Sequence, residues 1–264
     1  MHGHAPPAKV EVDASHSYGQ LVVHDRLKFS VAANEFLCIC GPSGCGKTTL
    51  LDMLAGILRP SQGHVLIDGE QADPKQKSIS FVFQEPSTFP WLTVRENVAT
   101  GLRIRGASRA EIDTKVREII KIVGLTGFEN YYPHQISGGM KQRVAIARAF
   151  ATDADLILMD EPFVSLDQPT RERMQREVLD IWRHRRRTVI FVTHNLEEAV
   201  FLGDRILILS AKPARIVTEV AVRLDHPRDP LSTAFTELRS QCVRWLHAPQ
   251  DGKAVVQEPR GAGS

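Results

Sequence analysis

Gly41-Pro42-Ser43-Gly44-Cys45-Gly46-Lys47-Thr48 is the stretch that decides the fold of this 264-residue chain. It fits the pattern G-x-x-x-x-G-K-[ST], in which glycines let the backbone curl so that its N–H groups face phosphate oxygens. The apolar run Phe36–Cys40 before it is predicted to be a strand, and Thr49–Leu58 after it a helix. The positive end of the helix dipole then lies at the loop. The stretch therefore predicts a phosphate-binding loop in an α/β protein.

The loop also predicts individual contacts. The Lys47 ammonium can reach β- and γ-phosphates, and the Thr48 hydroxyl can ligate Mg²⁺. A dinucleotide-type G-x-G-x-x-G is excluded, because Thr49 stands where its third glycine would be. The nucleotide-binding residues predicted here are Gly41, Pro42, Ser43, Gly44, Cys45, Gly46, Lys47, Thr48 and Thr49.

Composition restricts the possible functions. The net charge of +2 argues against a broad nucleic-acid surface. No apolar run approaches the roughly 20 residues that span a bilayer, and Met1–Lys9 lacks the apolar core of a secretory signal. Cys38 and Cys40 lie on one face of a predicted strand, and we expect them to be small buried thiols. Cys45, at a helix start, is a spectator or a reactive thiol.

Polar side chains end three further apolar runs. Ser78–Gln84 ends on an amide, Leu156–Asp160 runs into a carboxylate pair with Glu161, and Thr188–His194 ends on an imidazole. Polar chemistry at buried strand ends is the usual site geometry of open α/β sheets. Two later runs are predicted to be further strands: Arg205–Leu209 and Ile216–Val222.

The phosphate loop gives these strand ends roles. Asp160 is expected to hold the Mg²⁺ shell, and Glu161 to polarise an attacking water as general base. The Gln84 amide could sense Mg²⁺ or that water, with an ordinary turn glutamine as the alternative. His194 could hydrogen-bond the γ-phosphate, although a lone histidine is more often structural.

The region from about Glu85 to Phe150 lacks long β-branched runs and is predicted to be a helical insertion, with Arg109–Val123 as one helix. Within it, Ser137 is a good N-cap, and Gly138 and Gly139 expose backbone N–H groups before a predicted helix over Met140–Ala151. This is a second anion-binding helix start. One nucleotide hardly needs two such starts from one chain, so two chains head to tail are the simplest arrangement.

These motifs resemble those of the ATP-binding cassette (ABC) ATPases, over about Val10–Leu224. The Gly41–Thr48 loop is similar to Walker A, Ser137–Gln142 to the signature (with Met140 where Gln is common), and Ser165–Asp167 to the D-loop. By the same resemblance Gln84 is the Q-loop residue, Asp160 belongs to Walker B, and Glu161 is the catalytic glutamate. The resemblance also makes His194 the switch histidine and Asp167 a nucleotide contact. Tyr18 is implied to stack on adenine, and a tyrosine in an ordinary turn is the alternative.

The resemblance implies a P-loop NTPase (RecA-like) core with an antiparallel β portion and an inserted α-helical subdomain at about 86–150. It implies a domain over 10–225. Composition predicts a disordered head (1–9) before this domain, and a C-terminal helix with a flexible tail (226–264) is predicted after it. ATP and Mg²⁺ are the implied cofactors, and a second copy of the chain is the implied partner. Lys47, Gln84, Glu161 and His194 are the implied catalytic residues, and Thr48, Gln84 and Asp160 the implied Mg²⁺ contacts.

A narrower likeness exists to the nitrate/sulfonate/taurine importers. It lies in Phe83–Glu85, Phe89–Val94, Ser137–Arg143 and Leu209–Pro213. It implies an ATPase at the cytoplasmic face of the bacterial inner membrane, bound to permease subunits and indirectly to a solute-binding protein, with no nucleic-acid partner. The solutes of this group include nitrate, taurine, alkanesulfonates, bicarbonate and pyrimidines. The alternatives are an ABC ATPase of another transport system and a soluble non-transport ABC ATPase.

Two features keep two interpretations, and a third has no assigned role. Phe89, Trp91 and Leu92 are either a surface for the permease or core of the helical insertion. The basic run Arg183–Arg187 is either a solvated face or a lipid contact. The segment Ser232–His247 could form an amphipathic helix, for which the sequence indicates no role.

Overall fold

A computed structural model describes residues 8–74 and 77–247 and places their strands in two sheets. The smaller sheet is antiparallel, with strand order β2-β1-β4-β5. Its strands are β1 (Ala8–Tyr18), β2 (Leu21–Ala32), β4 (Gln62–Ile67) and β5 (Glu70–Gln71). This sheet is the predicted antiparallel β portion of the fold.

The larger sheet has the order β10-β9-β3-β8-β7-β6, and only the edge strand β10 runs antiparallel to its neighbour. Its strands are β3 (Phe36–Cys40), β6 (Ile79–Val82), β7 (Leu156–Asp160), β8 (Thr188–Thr193), β9 (Arg205–Leu209) and β10 (Ile216–Ala221). The predicted α/β core is therefore confirmed. Strand β8 ends one residue before His194, and β6 ends two residues before Gln84, so both polar residues lie just beyond their strands.

Alternate residues of the parallel strands enter two different hydrophobic clusters. On β3, Leu37 and Ile39 pack with the antiparallel sheet, whereas Phe36, Cys38 and Cys40 pack with the helices on the other face. All five side chains are fully buried. A strand that is buried on both faces has no solvent-exposed side, which explains why its sequence is continuously apolar. Cys38 and Cys40 are buried thiols, as predicted.

Helices cover the parallel sheet and form the region between β6 and β7. They are α1 (Lys47–Leu54), α2 (Val94–Ile104), α3 (Arg109–Ile122), α4 (Gly138–Ala151), α5 (Gln168–Arg185), α6 (Leu196–Leu202) and α7 (Thr233–Leu246). The segments α2, α3 and α4 pack on one another where the helical insertion is predicted. Searching the described residues finds no helix able to cross a membrane.

The prediction that the first helix extends to Leu58 is wrong. Helix α1 ends at Leu54, and Gly56 follows with a φ of 71°. A Cβ at Gly56 would lie 2.7 Å from the Ala72 carbonyl oxygen, so the turn needs glycine both for its conformation and for this approach. The chain therefore leaves the helix earlier than its apolar pattern indicates.

The two ends of the chain were predicted to be disordered. At the N-terminus this is wrong for Ala8 and Lys9, which begin β1, and the Lys9 ammonium pairs with Asp68 at 2.9 Å. Residues 1–7 and the predicted flexible tail at 248–264 lie outside the described residues. Helix α7 occupies the segment predicted to be amphipathic and packs its Phe235 and Cys242 side chains inward.

The basic run is only partly solvated. The Arg185 guanidinium lies 3.3 Å from Asp153 and 3.2 Å from Glu118, and Arg187 contacts Asp153 at 3.5 Å. Arg186 lies over the Trp182 ring, 5.0 Å from its centroid. The run thus ties α5 to α3 and to the loop after α4, because acidic residues distant in sequence meet it there.

Candidate nucleotide site

The Gly41–Thr48 loop joins β3 to α1 with a backbone that glycine alone accommodates well. Gly46 has a φ of 107°, and a Cβ on it would lie 2.5 Å from Val23 Cγ1 and 2.7 Å from His24 Nε2. Gly44 is also left-handed, with a φ of 76°. These glycines let the loop curl tightly against β2. The loop therefore has the local structure that the sequence predicts.

Lys47 lies at the centre of the loop and is 6% exposed. Its ammonium donates hydrogen bonds to the carbonyl oxygens of Gly41 (2.9 Å) and Pro42 (3.1 Å), and lies 3.5 Å from Glu161 Oε1. The loop carbonyls and one carboxylate thus surround the charge. A buried cation that is held at the mouth of a phosphate-binding loop can transfer its hydrogen bonds to phosphate oxygens.

Thr48 and Asp160 bring a hydroxyl and a carboxylate together across two elements. Thr48 Oγ1 donates to Asp160 Oδ2 at 2.7 Å. Burial raises the pKa of Asp160, and the Thr48 hydrogen bond opposes that shift. Both groups offer hard oxygen atoms, which are the ligands that suit Mg²⁺. Among the described residues there is no cluster of three His, Cys, Asp or Glu side chains that could hold a metal.

Glu161 connects the loop to the end of β8. It is a non-glycine residue with a φ of 43°, held by the hydrogen bond from its N–H to the Val192 carbonyl oxygen at 2.9 Å. Such left-handed residues cost free energy and gather at functional sites. One carboxylate oxygen faces Lys47, and the other lies 2.7 Å from His194 Nδ1. The structure therefore brings Lys47, Glu161 and His194 into one chain of contacts.

Gln84 and Tyr18 do not join these contacts. Gln84 lies two residues beyond β6, its side chain is exposed, and it forms no hydrogen bond with the described site residues. Tyr18 ends β1, is 53% exposed, and meets the His16 ring edge-on at 4.7 Å between centroids. Their predicted roles stay predictions.

The segment Ser137–Gly139 begins α4, slightly earlier than predicted. Ser137 Oγ accepts a hydrogen bond from Met140 N, which makes Ser137 the N-cap. A Cβ on Gly138 would meet nothing within 4 Å, so this backbone is open to an approaching group. Ser137, Gly139, Ser165 and Asp167 line one cleft of about 380 Å³. The structure thus brings the signature-like and D-loop-like segments together.

Asp167 takes a structural role of its own. Its carboxylate accepts a hydrogen bond from Thr170 N at 3.1 Å as the N-cap of α5, and this bond lowers the pKa of Asp167. Its predicted nucleotide contact stays a prediction. Across the two described ranges, no hydrogen bond or ion pair joins Ser137–Gly139 to the Gly41–Thr48 loop.

The possibility that Cys45 is a reactive thiol is wrong. Its side chain is 1% exposed and packs in the cluster beneath the antiparallel sheet. Burial raises the pKa of the Cys45 thiol, which disfavours the thiolate. Only its backbone remains available to a phosphate.

Three residues near the site were not predicted. His24 is fully buried, and its Nε2 lies 3.0 Å from the Gly46 carbonyl oxygen, which accepts a hydrogen bond from the ring N–H. Glu198 and Arg171 lie behind the Glu161–His194 pair and line a small cavity with it. Strict alternation along β2 would place position 24 with the exposed Arg26 and Lys28 rather than with the buried Leu27 and Phe29, so no local pattern indicates that His24 is buried against this loop.

Comparison with known proteins gives consistent results. A family model described as ABC transporter matches residues 24–164. An uncharacterized ABC transporter ATP-binding protein of Methanocaldococcus jannaschii is 47% identical over 222 residues, 84% of this chain and 83% of the relative. The aliphatic sulfonates import ATP-binding protein SsuB of Bacillus cereus (strain ATCC 10987 / NRS 248) is 44% identical over 222 residues, 84% of this chain and 87% of the relative.

Solved structures agree with the sequence matches. A dimeric ATP-binding cassette in a post-hydrolysis state, bound to ADP and Pi, is 32% identical with a TM-score of 0.72, and the match covers 82% of this chain and all of that one. A dimeric bacterial ABC transporter cassette is 30% identical with a TM-score of 0.73 over the same shares. The resemblance and the P-loop fold predicted from the sequence are confirmed: this chain belongs to the ABC transporter family, as one of its ATP-binding proteins.

Proposed function

We propose that this chain binds Mg²⁺–ATP in its Gly41–Thr48 loop, hydrolyses it, and thereby energises an importer of small sulfonate-like solutes. The observation that carries the proposal is the Glu161 carboxylate, which contacts Lys47 on one oxygen and His194 on the other. The contacts support the proposal that Glu161 is the base, Lys47 the phosphate-binding cation and His194 the hydrogen-bonding imidazole. Phosphoryl transfer needs this kind of positioning and charge stabilisation.

In the proposed mechanism Glu161 orients a water molecule and accepts its proton as the water oxygen attacks the γ-phosphorus. The bond between the γ-phosphorus and the bridging oxygen breaks, and the products are ADP and inorganic phosphate. Lys47 stabilises charge on the β- and γ-phosphate oxygens, and His194 and Gln84 complete the polar contacts of the γ-phosphate. Tyr18 stacks on adenine, and the Gly41–Thr49 stretch holds the phosphates through its backbone N–H groups, which Pro42 lacks.

Thr48 and Asp160 are the proposed Mg²⁺ contacts, with Gln84 as a third. When bound, Mg²⁺ neutralises charge on the β- and γ-phosphate oxygens. The proximity of the Thr48 hydroxyl to the Asp160 carboxylate supports this proposal. A neighbouring cation also favours the charged form of Asp160, whose pKa burial raises.

The working unit is proposed to be a head-to-tail dimer, in which Ser137–Gly139 of one chain closes on ATP held by the loop of the other. The open approach to Gly138 and the place of Ser137 at a helix start support this. Asp167 completes the shared site from the same cleft. The dimeric cassettes among the solved relatives argue in the same direction.

The surface proposed to meet the permease is the loop Phe89–Leu92, in which Trp91 is 70% exposed and its ring centroid lies 5.7 Å from that of Phe89. The interpretation of Trp91 as core is contradicted by this exposure. The fully buried Asn97 side chain fixes the loop, because it hydrogen-bonds Phe89 N and the carbonyl oxygens of Phe89 and Leu92. An ordered, exposed aromatic surface suits a protein partner. The chain is accordingly proposed to lie at the cytoplasmic face of the bacterial inner membrane.

Co-purification tests the transport assignment. The tagged chain, extracted from its own cells in mild detergent, should bring down an integral-membrane permease. Trp91→Glu should lose the permease. Lys47→Ala should retain it, because Lys47 belongs to the Gly41–Thr48 loop and not to the proposed docking surface. Recovery of the chain with ribosomes or DNA and without a membrane protein would favour the soluble alternative.

The solute class has its own test. Cells lacking the gene should lose uptake of a labelled alkanesulfonate, and the wild-type gene should restore it. The Glu161→Gln gene should not restore uptake. Loss of nitrate or pyrimidine uptake, with sulfonate uptake intact, would contradict the sulfonate assignment and leave the ATPase assignment standing.

A further inference from the structure

A small cavity lies beside the Glu161–His194 pair. Its volume is about 30 Å³, and its lining includes Glu161, His194, Thr193, Arg171 and Glu198. A cavity needs only about 10–15 Å³ for one water, provided that polar groups line it. This one is polar on several sides, so its size and chemistry fit a single water.

Glu198 forms one wall of the cavity and is 5% exposed. Its Oε2 accepts a hydrogen bond from Thr193 Oγ1 at 2.6 Å, and the same hydroxyl oxygen accepts from Asn195 N at 3.0 Å. These two bonds bracket the peptide of His194. Glu198, on α6, therefore holds the turn that carries the histidine without touching its ring.

Arg171 forms the opposite wall. Its Nη2 donates to the Leu166 carbonyl oxygen at 3.0 Å, within the D-loop-like segment Ser165–Asp167. Its Nε lies 4.0 Å from Glu198 Oε1, which is too far for a direct hydrogen bond. This Nε is buried and has no hydrogen-bond acceptor among the described residues. A buried guanidinium N–H without an acceptor costs free energy, so a bridging group is expected here.

We propose that one water in this cavity accepts a hydrogen bond from Arg171 Nε and donates one to Glu198, and that Arg171 and Glu198 are positioning residues for hydrolysis. They hold the Ser165–Asp167 segment and the His194 turn in a single arrangement behind Glu161. The inference rests on the proposed hydrolysis. It adds a link between α5, the D-loop-like segment and α6 that the motifs do not specify.

The link has a kinetic consequence. Neither Arg171 nor Glu198 contacts the Gly41–Thr48 loop within the described ranges, so removing either should leave ATP binding intact. The position of His194 and Glu161 relative to the attacking water should become less defined. A positioning error of this kind lowers kcat more than it raises KM.

The test measures ATP hydrolysis by the full-length chain carrying Arg171→Met, Glu198→Gln or both. Each single variant should lose about tenfold in kcat with KM within about twofold of wild type. The double variant should lose no more than the worse single variant, because the two residues act as a unit. Arg176→Met is the matched control on the same helix, since its pair with Glu172 at 3.6 Å is exposed. It should retain wild-type kcat.

Folding and water are checked separately. If thermal unfolding shows that Arg171→Met does not fold, Arg171→Lys and the isosteric Glu198→Gln carry the same kinetic test. A crystal structure of the wild-type chain should place a water within hydrogen-bond distance of Arg171 Nε. Wild-type kcat in both single variants, a rise in KM that matches the fall in kcat, or a dry cavity would overturn the proposal. A wild-type chain that does not hydrolyse ATP would instead count against the proposed function.

Discussion

The strand-end residues and the start of α4 differ in where their polar groups find partners. Thr48 contacts Asp160 at 2.7 Å, and Glu161 contacts Lys47 at 3.5 Å and His194 at 2.7 Å. Ser137 and Gly138, in contrast, are exposed, and the Ser137 side chain bonds only within its own helix start among the described contacts. The first group is organised within one chain, whereas the second presents its donors outward. The difference fits the proposal that one chain holds a connected half-site, made of the strand-end residues, and a complementary half-site at Ser137–Gly139 that closes on another chain.

The largest expected effect breaks the connected half. Glu161→Gln keeps the shape of the side chain but removes the proton acceptor, so the hydrolysis rate should fall on the order of 10²–10⁴-fold. ATP binding should persist, and the ATP-bound dimer should accumulate. Hydrolysis, nucleotide binding and light scattering measure the three outcomes.

Glu197→Gln is the control for this variant, because Glu197 pairs with Arg239 on the surface side of α6. It should retain wild-type turnover. Turnover close to wild type in Glu161→Gln would remove the role proposed for Glu161.

The second prediction breaks the complementary half. Ser137→Arg and Lys47→Ala should each be inactive alone, for different reasons. A mixture of the two chains should recover activity, because the mixed dimer pairs the intact loop of one with the intact Ser137–Gly139 turn of the other. The mixed dimer has one working site where the wild type has two. Absence of recovery, together with absence of an ATP-bound dimer in light scattering, would contradict the shared site.

Much of the connected half could be predicted from the sequence, because its residues stand at strand ends. The strand predictions Phe36–Cys40 and Leu156–Asp160 match the structure. Asn34, in the turn before β3, has a φ of 63°, a left-handed conformation that asparagine accepts more readily than most residues. Parallel strands align their carboxyl ends, so local patterns suffice to place Lys47 and Glu161 near each other.

Other features depend on tertiary contacts that no local pattern contains. Glu161 takes a left-handed φ because β8 holds its N–H, and Arg185 pairs with Asp153 because α5 ends beside the loop after α4. His24 reaches Gly46 only through the arrangement of β2 against the loop. The sequence carries the motif residues, and the residues that support them become visible only in the fold.

The third prediction sharpens the comparison by testing how the loop is anchored. Burial lowers the pKa of His24 from 6.5 to about 4, so the ring is neutral in the folded chain near pH 7. Between about pH 4 and pH 6.5, His24 binds a proton in the unfolded chain but not in the folded chain. Stability is therefore fully present above about pH 6.5 and falls as the pH drops, by at most about 1.4 kcal/mol per pH unit for this group.

His24→Gln should remove one proton from this linkage and flatten the fall in unfolding free energy between pH 6.5 and 4. The exposed His64→Gln on β4 is the control and should leave the slope unchanged. His226, whose pKa burial also lowers to about 4, contributes a remaining slope in both variants. An identical slope in His24→Gln and wild type would show that His24 does not resist protonation in the folded chain.

The smallest expected effect lies outside both halves. Arg185→Met removes the ion pairs to Asp153 and Glu118, which are partly solvent-screened, and should lower the unfolding free energy by about 1 kcal/mol or less. Arg183→Met, two residues earlier, is the matched control, because Arg183 forms no ion pair with the described residues. Denaturant unfolding should separate the two variants, and both should hydrolyse ATP at the wild-type rate. A loss of hydrolysis in Arg185→Met would mean that the ion pairs between α5 and α3 also set the geometry of the connected half-site. The connected half-site would then depend on contacts elsewhere in the molecule.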